Sequence, residues 1–202
     1  MPKAVTISGA VEGLIDEAVL RRLIRWAGAV PGPIYGKHGK SFLRKQMDAY
    51  NLAACSAPWL VLVDLDHDAD CAPTLLDVWL PEPAPHMCFR VVVREIEAWL
   101  LADHERLAHC LNVRYSMIPR DPESLHDPKH TLVEIAKKSR RKDIRADMVP
   151  SLRSYREVGP AYNSRMIQFV LDELSGWRPE AAAQSSESLM RCLHHLERMA
   201  IR

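Results

Sequence analysis

The stretch from Trp59 to Asp70, Trp-Leu-Val-Leu-Val-Asp-Leu-Asp-His-Asp-Ala-Asp, constrains the fold more than any other part of the chain. Leu60 to Val63 is an unbroken aliphatic run, long enough for a strand and too short for a helix. A strand apolar on both faces belongs in a parallel sheet that is covered by helices on each side. Asp64, Asp66, Asp68 and Asp70 follow in alternation. In extended chain alternate side chains share a face, so Asp64 and Asp66 are expected to leave the strand's C-terminal end in the same direction. Two carboxylates held that close repel unless a proton or a cation lies between them. Hard oxygen ligands without Cys or His favour Mg²⁺ over zinc. The competing reading is an acidic, solvated loop whose aspartate caps a helix starting near Cys71.

The flanking sequence supplies the rest of an α/β pattern. Val5-Thr6-Ile7 is β-leaning and is followed by a turn that carries Glu12. From Asp16 to Trp26 the apolar residues Val19, Leu20, Leu23 and Ile24 recur at helical spacing, with Asp16 and Glu17 in the first turn where the helix dipole favours acids. Ile34-Tyr35 reads as a brief second strand, Ser41 to Ala54 as a helix, Ala72 to Leu80 as a short helix and Cys88 to Val93 as a fourth strand. Strands alternating with helices, without hairpin signals, predict βαβ units. After about residue 110 no further strand is expected; Asp121 to Lys129 reads as a loop, and Thr131–Ser139, the stretch after Asn163, and Ser186–Ala200 read as helices. The expected division is an α/β core over 1–110 and a helical extension over 111–202 packed on it.

Lys and Arg total 27 against 26 Asp and Glu, so the chain is no polycation and any nucleic-acid affinity must come from local patches. The five dispersed cysteines contain no CxxC spacing and read as free thiols of a reducing cytoplasm. The opening residues lack the apolar core of a signal peptide, and no segment is apolar enough to span a bilayer, so a soluble, cytoplasmic protein without membrane attachment is expected.

In an open parallel sheet, ligands bind beyond the carboxyl ends of the strands where strand order reverses. Glu12, Asp64 with Asp66, and Glu95 or Glu97 all fall at such ends. Val11-Glu12-Gly13 after the first strand and Asp64-Leu65-Asp66 after the third resemble the glutamate and aspartate motifs of the Toprim domain, which topoisomerases, primases, overcoming-lysogenization-defect nucleases and RNase M5-type enzymes share. Over most of its length the chain looks like a Toprim-related bacterial family often encoded beside ATPase genes in defence-type neighbourhoods. The matching words are Arg94-Glu95-Ile96-Glu97-Ala98-Trp99-Leu100-Leu101-Ala102-Asp103, Asp127-Pro128-Lys129 and Val158-Gly159-Pro160-Ala161-Tyr162-Asn163.

The resemblance implies a Toprim-like, mainly parallel sheet flanked by helices with a helical C-terminal part. It implies a Mg²⁺-dependent nuclease, with Mn²⁺ as a substitute, that acts on DNA or RNA as the phage-defence partner of an ATPase. Glu12 would be the general acid or base, Asp64 and Asp66 metal ligands, and Asp68 a further ligand or a supporting group; Lys129 and Tyr162 join as site residues. His67-Asp68 after the aspartate pair departs from many Toprim proteins.

Other residues carry weaker signals. Lys37 and Lys40 each follow a glycine and could place an ammonium against phosphate before a helix, or lie in an exposed loop. The run Lys137 to Lys142, with Arg140, Arg141 and Lys142, could track a nucleic-acid backbone or simply be solvated. The five tryptophans fall on apolar faces or strand starts and are expected in the core, and the nine histidines are read as lacking ligand spacing such as His-x-x-x-His paired with an acidic partner, so most are expected to be structural or exposed. A haloacid-dehalogenase-like phosphatase expects its Asp-x-Asp after the first strand, and a receiver expects its paired acids there. The alternative that remains is a non-catalytic adaptor with a Toprim-like acidic pocket.

Overall fold

A computed structural model describes residues 4–151 and 154–200; Met1–Lys3, part of the segment read for a signal peptide, lie outside the described residues. The chain is α/β. Four strands, β1 (Thr6–Val11), β2 (Val30–Gly36), β3 (Trp59–Asp64) and β4 (Met87–Val92), form one all-parallel sheet in the order β2-β1-β3-β4. Between them lie α1 (Leu14–Trp26), α2 (Lys40–Lys45), α3 (Met47–Ala53) and α4 (Ala72–Trp79). The remainder is helical: α5 (Ile96–Ala102), α6 (His104–Leu111), α7 (Pro128–Ala136), α8 (Lys142–Met148), α9 (Tyr162–Leu171), α10 (Pro179–Ala182) and α11 (Glu187–Ala200).

The alternation of β3 divides the core in two. Leu60 and Leu62 point to one face, packed with Val19, Leu20 and Leu23 of α1 and with Trp99, Met166, Trp177 and Leu196 from the C-terminal helices. Trp59, Val61 and Val63 point to the other, against Leu43, Met47 and Tyr50 of α2 and α3 and Leu75 and Trp79 of α4. All the aliphatic residues of β3 are fully buried, as an apolar run between two helical layers requires. Each such side chain contributes about 1.5–3 kcal/mol on burial. Glycine at position 9 lets α1 lie close on β1, because a Cβ there would sit 2.9 Å from Leu20 Cδ1 and 2.7 Å from the Leu60 carbonyl oxygen.

The helical residues beyond 110 share the first of these cores with β1, β3 and α1. Tryptophans 59, 79, 99 and 177 are buried, and Trp26 is packed at the core's edge. Two local expectations change. The helix expected over 41–54 is interrupted at Gln46 into α2 and α3, while Leu43, Met47 and Tyr50 stay in one core cluster. The segment 121–129 contains a short 3-10 turn over Pro122–Ser124, and α7 already starts at Pro128, where proline's missing N–H costs nothing. No described helix is long and apolar enough to cross a membrane, and none of the five cysteines is in a disulfide.

Candidate active site

The sheet order puts β1 and β3 side by side while their connections leave in opposite directions. From β1 the chain crosses through α1 on one face to β2; from β3 it crosses through α4 on the other face to β4. The crevice that this reversal opens lies at the strands' C-terminal ends. Glu12 emerges there from β1, and its Oε1 accepts a hydrogen bond from the Asp64 backbone N–H at 2.9 Å. Residues separated by 52 positions are thereby joined at one rim. Burial pushes the Glu12 carboxyl up to about 7; the Asp64 N–H and Lys40 pull it down, and Asp16 and Asp66 push it further up.

Asp64 is the centre of the acidic group. Burial and the neighbouring carboxylates of Asp16, Glu12, Glu97 and Asp66 all hold it well above the usual carboxylate range. Its Oδ1 is buried without a hydrogen-bond partner, as are Asp16 Oδ1 and Glu97 Oε2. Asp16 lies in the first turn of α1 and is only 7% exposed. Burial raises it to about 6, with Lys129 lowering it and Asp66 raising it. Gly13 makes room for this carboxylate, since a Cβ at that position would lie 3.0 Å from Asp16 Oδ2. Glu97, in the first turn of α5, is 1% exposed and is raised by burial to about 7. The Tyr162 hydroxyl, from the start of α9, donates to its Oε1 at 3.1 Å.

The outer side of the rim is compensated by lysines. Lys40, the first residue of α2, reaches Asp66 at 2.9 Å and Asp68 at 2.7 Å, and it also donates to the Leu65 carbonyl. Burial opposes its charge, but the two aspartates outweigh burial and its pKa is raised. Lys129 stands 3.5 Å from Glu95 and 3.9 Å from Glu97, and its backbone N–H donates to Glu95 Oε2 at 3.0 Å. Asp127 of the Asp-Pro-Lys word caps α7 by accepting the His130 N–H, which aims the following turn at the rim. Asp66 lies beyond β3 with φ of 48°, so its direction is set by a left-handed backbone rather than by strand alternation.

The remaining candidates lie elsewhere. Lys37 pairs with Glu17 at 3.1 Å, on the flank of α1. Arg140 and Arg141 lie in the exposed turn between α7 and α8 and Lys142 opens α8, beyond the opposite end of α7 from Lys129. Arg141 is already paired with Asp143. Two contributors escaped the motif reading. Asp16 looked like a dipole-favoured helix start, and only the small residue three positions earlier hints at its burial. Arg94, whose Nη1 donates to the Asp66 carbonyl at 2.9 Å, stood inside a family word without a role.

Several unpartnered buried carboxylate oxygens call for protons or for a hard cation, so the donor chemistry fits Mg²⁺ or Mn²⁺. Among the described residues no group of three or more His, Cys, Asp or Glu already stands at metal-binding spacing. Lys40 holds the outer aspartates instead. Comparison of the chain with protein-family models, with curated proteins and with solved structures finds no match.

Proposed function

We propose that the chain is a Mg²⁺-dependent phosphodiesterase of the Toprim type, acting on DNA or RNA in the cytoplasm as the effector partner of an ATPase in phage defence. The observation that carries the chemistry is the Glu12–Asp64 hydrogen bond at the β1/β3 crevice, beside buried carboxylate oxygens that have no partner. Asp64, with Asp66 and Asp68, would hold the cation, and Asp16 lies close enough to affect their charge. When bound, the metal would supply charge stabilisation to the phosphoryl oxygens.

Glu12 is suited to move the proton. A general acid or base works best with a pKa near the working pH, and this carboxyl lies at about 7. The backbone N–H of Asp64 fixes one of its oxygens and leaves the other to exchange a proton with an attacking or leaving oxygen. Lys40, 17% exposed, keeps positive charge at the mouth of the site where a phosphate would enter. Lys129 does the same on the α7 side.

The test is cleavage of mixed DNA and RNA with Mg²⁺ or Mn²⁺ by the wild type beside Asp64→Asn and Glu12→Gln. Loss in both variants supports the assignment, and equal cleavage by all three proteins overturns it. A second reading, a non-catalytic adaptor, is favoured by one observation: Lys40 already pairs with both Asp66 and Asp68. No cleavage by any of the proteins, with partner binding retained, would select it.

A further inference from the structure

We propose that the cleft between the β3–α4 connection and the start of α7 is a subsite for one unpaired nucleotide, which makes single-stranded DNA or RNA, or a frayed end, the substrate class of this site. The inference rests on the phosphodiesterase reading for what happens at the neighbouring acids, and on the cleft alone for what it binds.

The cleft has a volume of about 460 Å³ and opens beside Asp66. That lies within the range of small-ligand pockets, about 300–1,000 Å³. That volume accommodates a single nucleotide. His67, Arg94, His126, Lys129 and His130 line it. The rings of His67 and His126 lie 4.3 Å apart at 33°. Both residues are exposed, and neither imidazole hydrogen-bonds to another described residue. An open pair of flat rings beside a phosphate-handling site offers a stacking surface that any base can use and a paired base cannot reach.

Arg94 supplies the complementary charge. One Nη is used on the Asp66 carbonyl, and no carboxylate among the described residues pairs with the guanidinium, so its other donors can take a phosphate. Of the lining acids, Asp66 is paired with Lys40 and Glu95 with Lys129, while Asp127 caps α7 and keeps its charge. Glu157 is an exposed acid at the cleft without a partner among the described residues. Removing its charge should therefore strengthen binding of an anionic strand.

The experiment is fluorescence anisotropy in EDTA with labelled oligothymidine and oligouridine of about 12 nucleotides and a blunt DNA duplex of the same length. The single strands should bind at least about 10-fold tighter than the duplex, and His67→Ala and His126→Ala should each weaken them about 5-fold or more. Arg94→Gln should weaken binding and flatten its salt dependence by about one charge. Glu157→Gln should tighten it. Circular dichroism checks that these surface variants fold. Equal binding of duplex and single strand, unchanged binding by the His67→Ala/His126→Ala double variant, or no binding of any oligonucleotide overturns the subsite. Cleavage of the same oligonucleotides with Mg²⁺ is measured alongside. Cleavage without histidine-dependent binding sinks the subsite alone; histidine-dependent binding without cleavage sinks the phosphodiesterase reading alone.

Discussion

The two sides of the acidic rim handle the same problem differently. On the outer side Asp66 and Asp68, 39% and 53% exposed at the side chain, share the Lys40 ammonium, and water screens what remains. On the inner side Asp16 and Glu97 are buried and Asp64 is half-buried, and each keeps one buried oxygen without a partner. A lysine satisfies exposed carboxylates at low cost. Buried ones, whose charged forms lack water, are driven toward the protonated state, and their pKa values all rise. The difference marks Asp64, where the two sides meet, as the ligand at which a cation would gain most by displacing a proton.

The strongest way to break this contrast is Asp64→Asn. If Asp64 holds the metal, cleavage should fall by about 10³-fold or more, corresponding to several kcal/mol of lost transition-state stabilisation. At pH 8 in EDTA the same variant should melt at a higher temperature than wild type, because it cannot ionise among the surrounding carboxylates. A lower melting temperature would show that the ionised aspartate is stabilising instead. Glu12→Gln should reduce cleavage by about 10²-fold or more while keeping the acceptor for the Asp64 N–H. Its pH–rate profile should lose the limb that wild type shows near 7.

The sign of the pH effect on stability sharpens the comparison further. Glu97 has a folded pKa of about 7 against an ordinary 4.5, so its contribution to stability is complete below about 4.5 and is lost as pH rises through about 7. For this 1% exposed group the loss is on the order of 3 kcal/mol. In EDTA the protein should therefore melt higher at pH 5 than at pH 8. Mg²⁺ should raise the melting temperature more at pH 8, where the inner acids are most easily ionised. Scanning calorimetry at the two pH values decides it; a Mg²⁺ shift confined to pH 5 would contradict the inner site. The smallest effect belongs to the outer side. Lys40→Met should cost about 1 kcal/mol or less in urea unfolding. It should also move the Glu12 midpoint upward, because Lys40 is one of the charges that lower it.

The sheet could be read from local pattern because its cause is local. An aliphatic run such as Leu60–Val63 with no polar face has few alternatives to a covered strand, and the regular return of apolar residues at 19, 20, 23 and 24 specifies the helix beside it. Glu12 and Asp64 were visible as acids at strand ends, and the reversal of order between β1 and β3 brings them together. What the residues could not display was compensation between distant elements. Lys40 stands 26 positions before Asp66 in a glycine-flanked segment that resembles any solvated loop. Asp16 has the sequence signature of a routine helix start, and its burial depends on β3 and on the missing side chain at Gly13. The break of the second helix at Gln46 had no proline or glycine to announce it.

The hydroxyl of Tyr162 has a consequence for how this protein can be dissected. It arrives from α9, far along the chain, yet touches a carboxylate at the heart of the rim. Trimming the polypeptide to its strand-bearing portion would uncover that carboxylate along with the flank of α1 that α9 covers. Water would then relax the proton affinity of the inner acids, so a shortened fragment would report the chemistry of a different, wetter pocket.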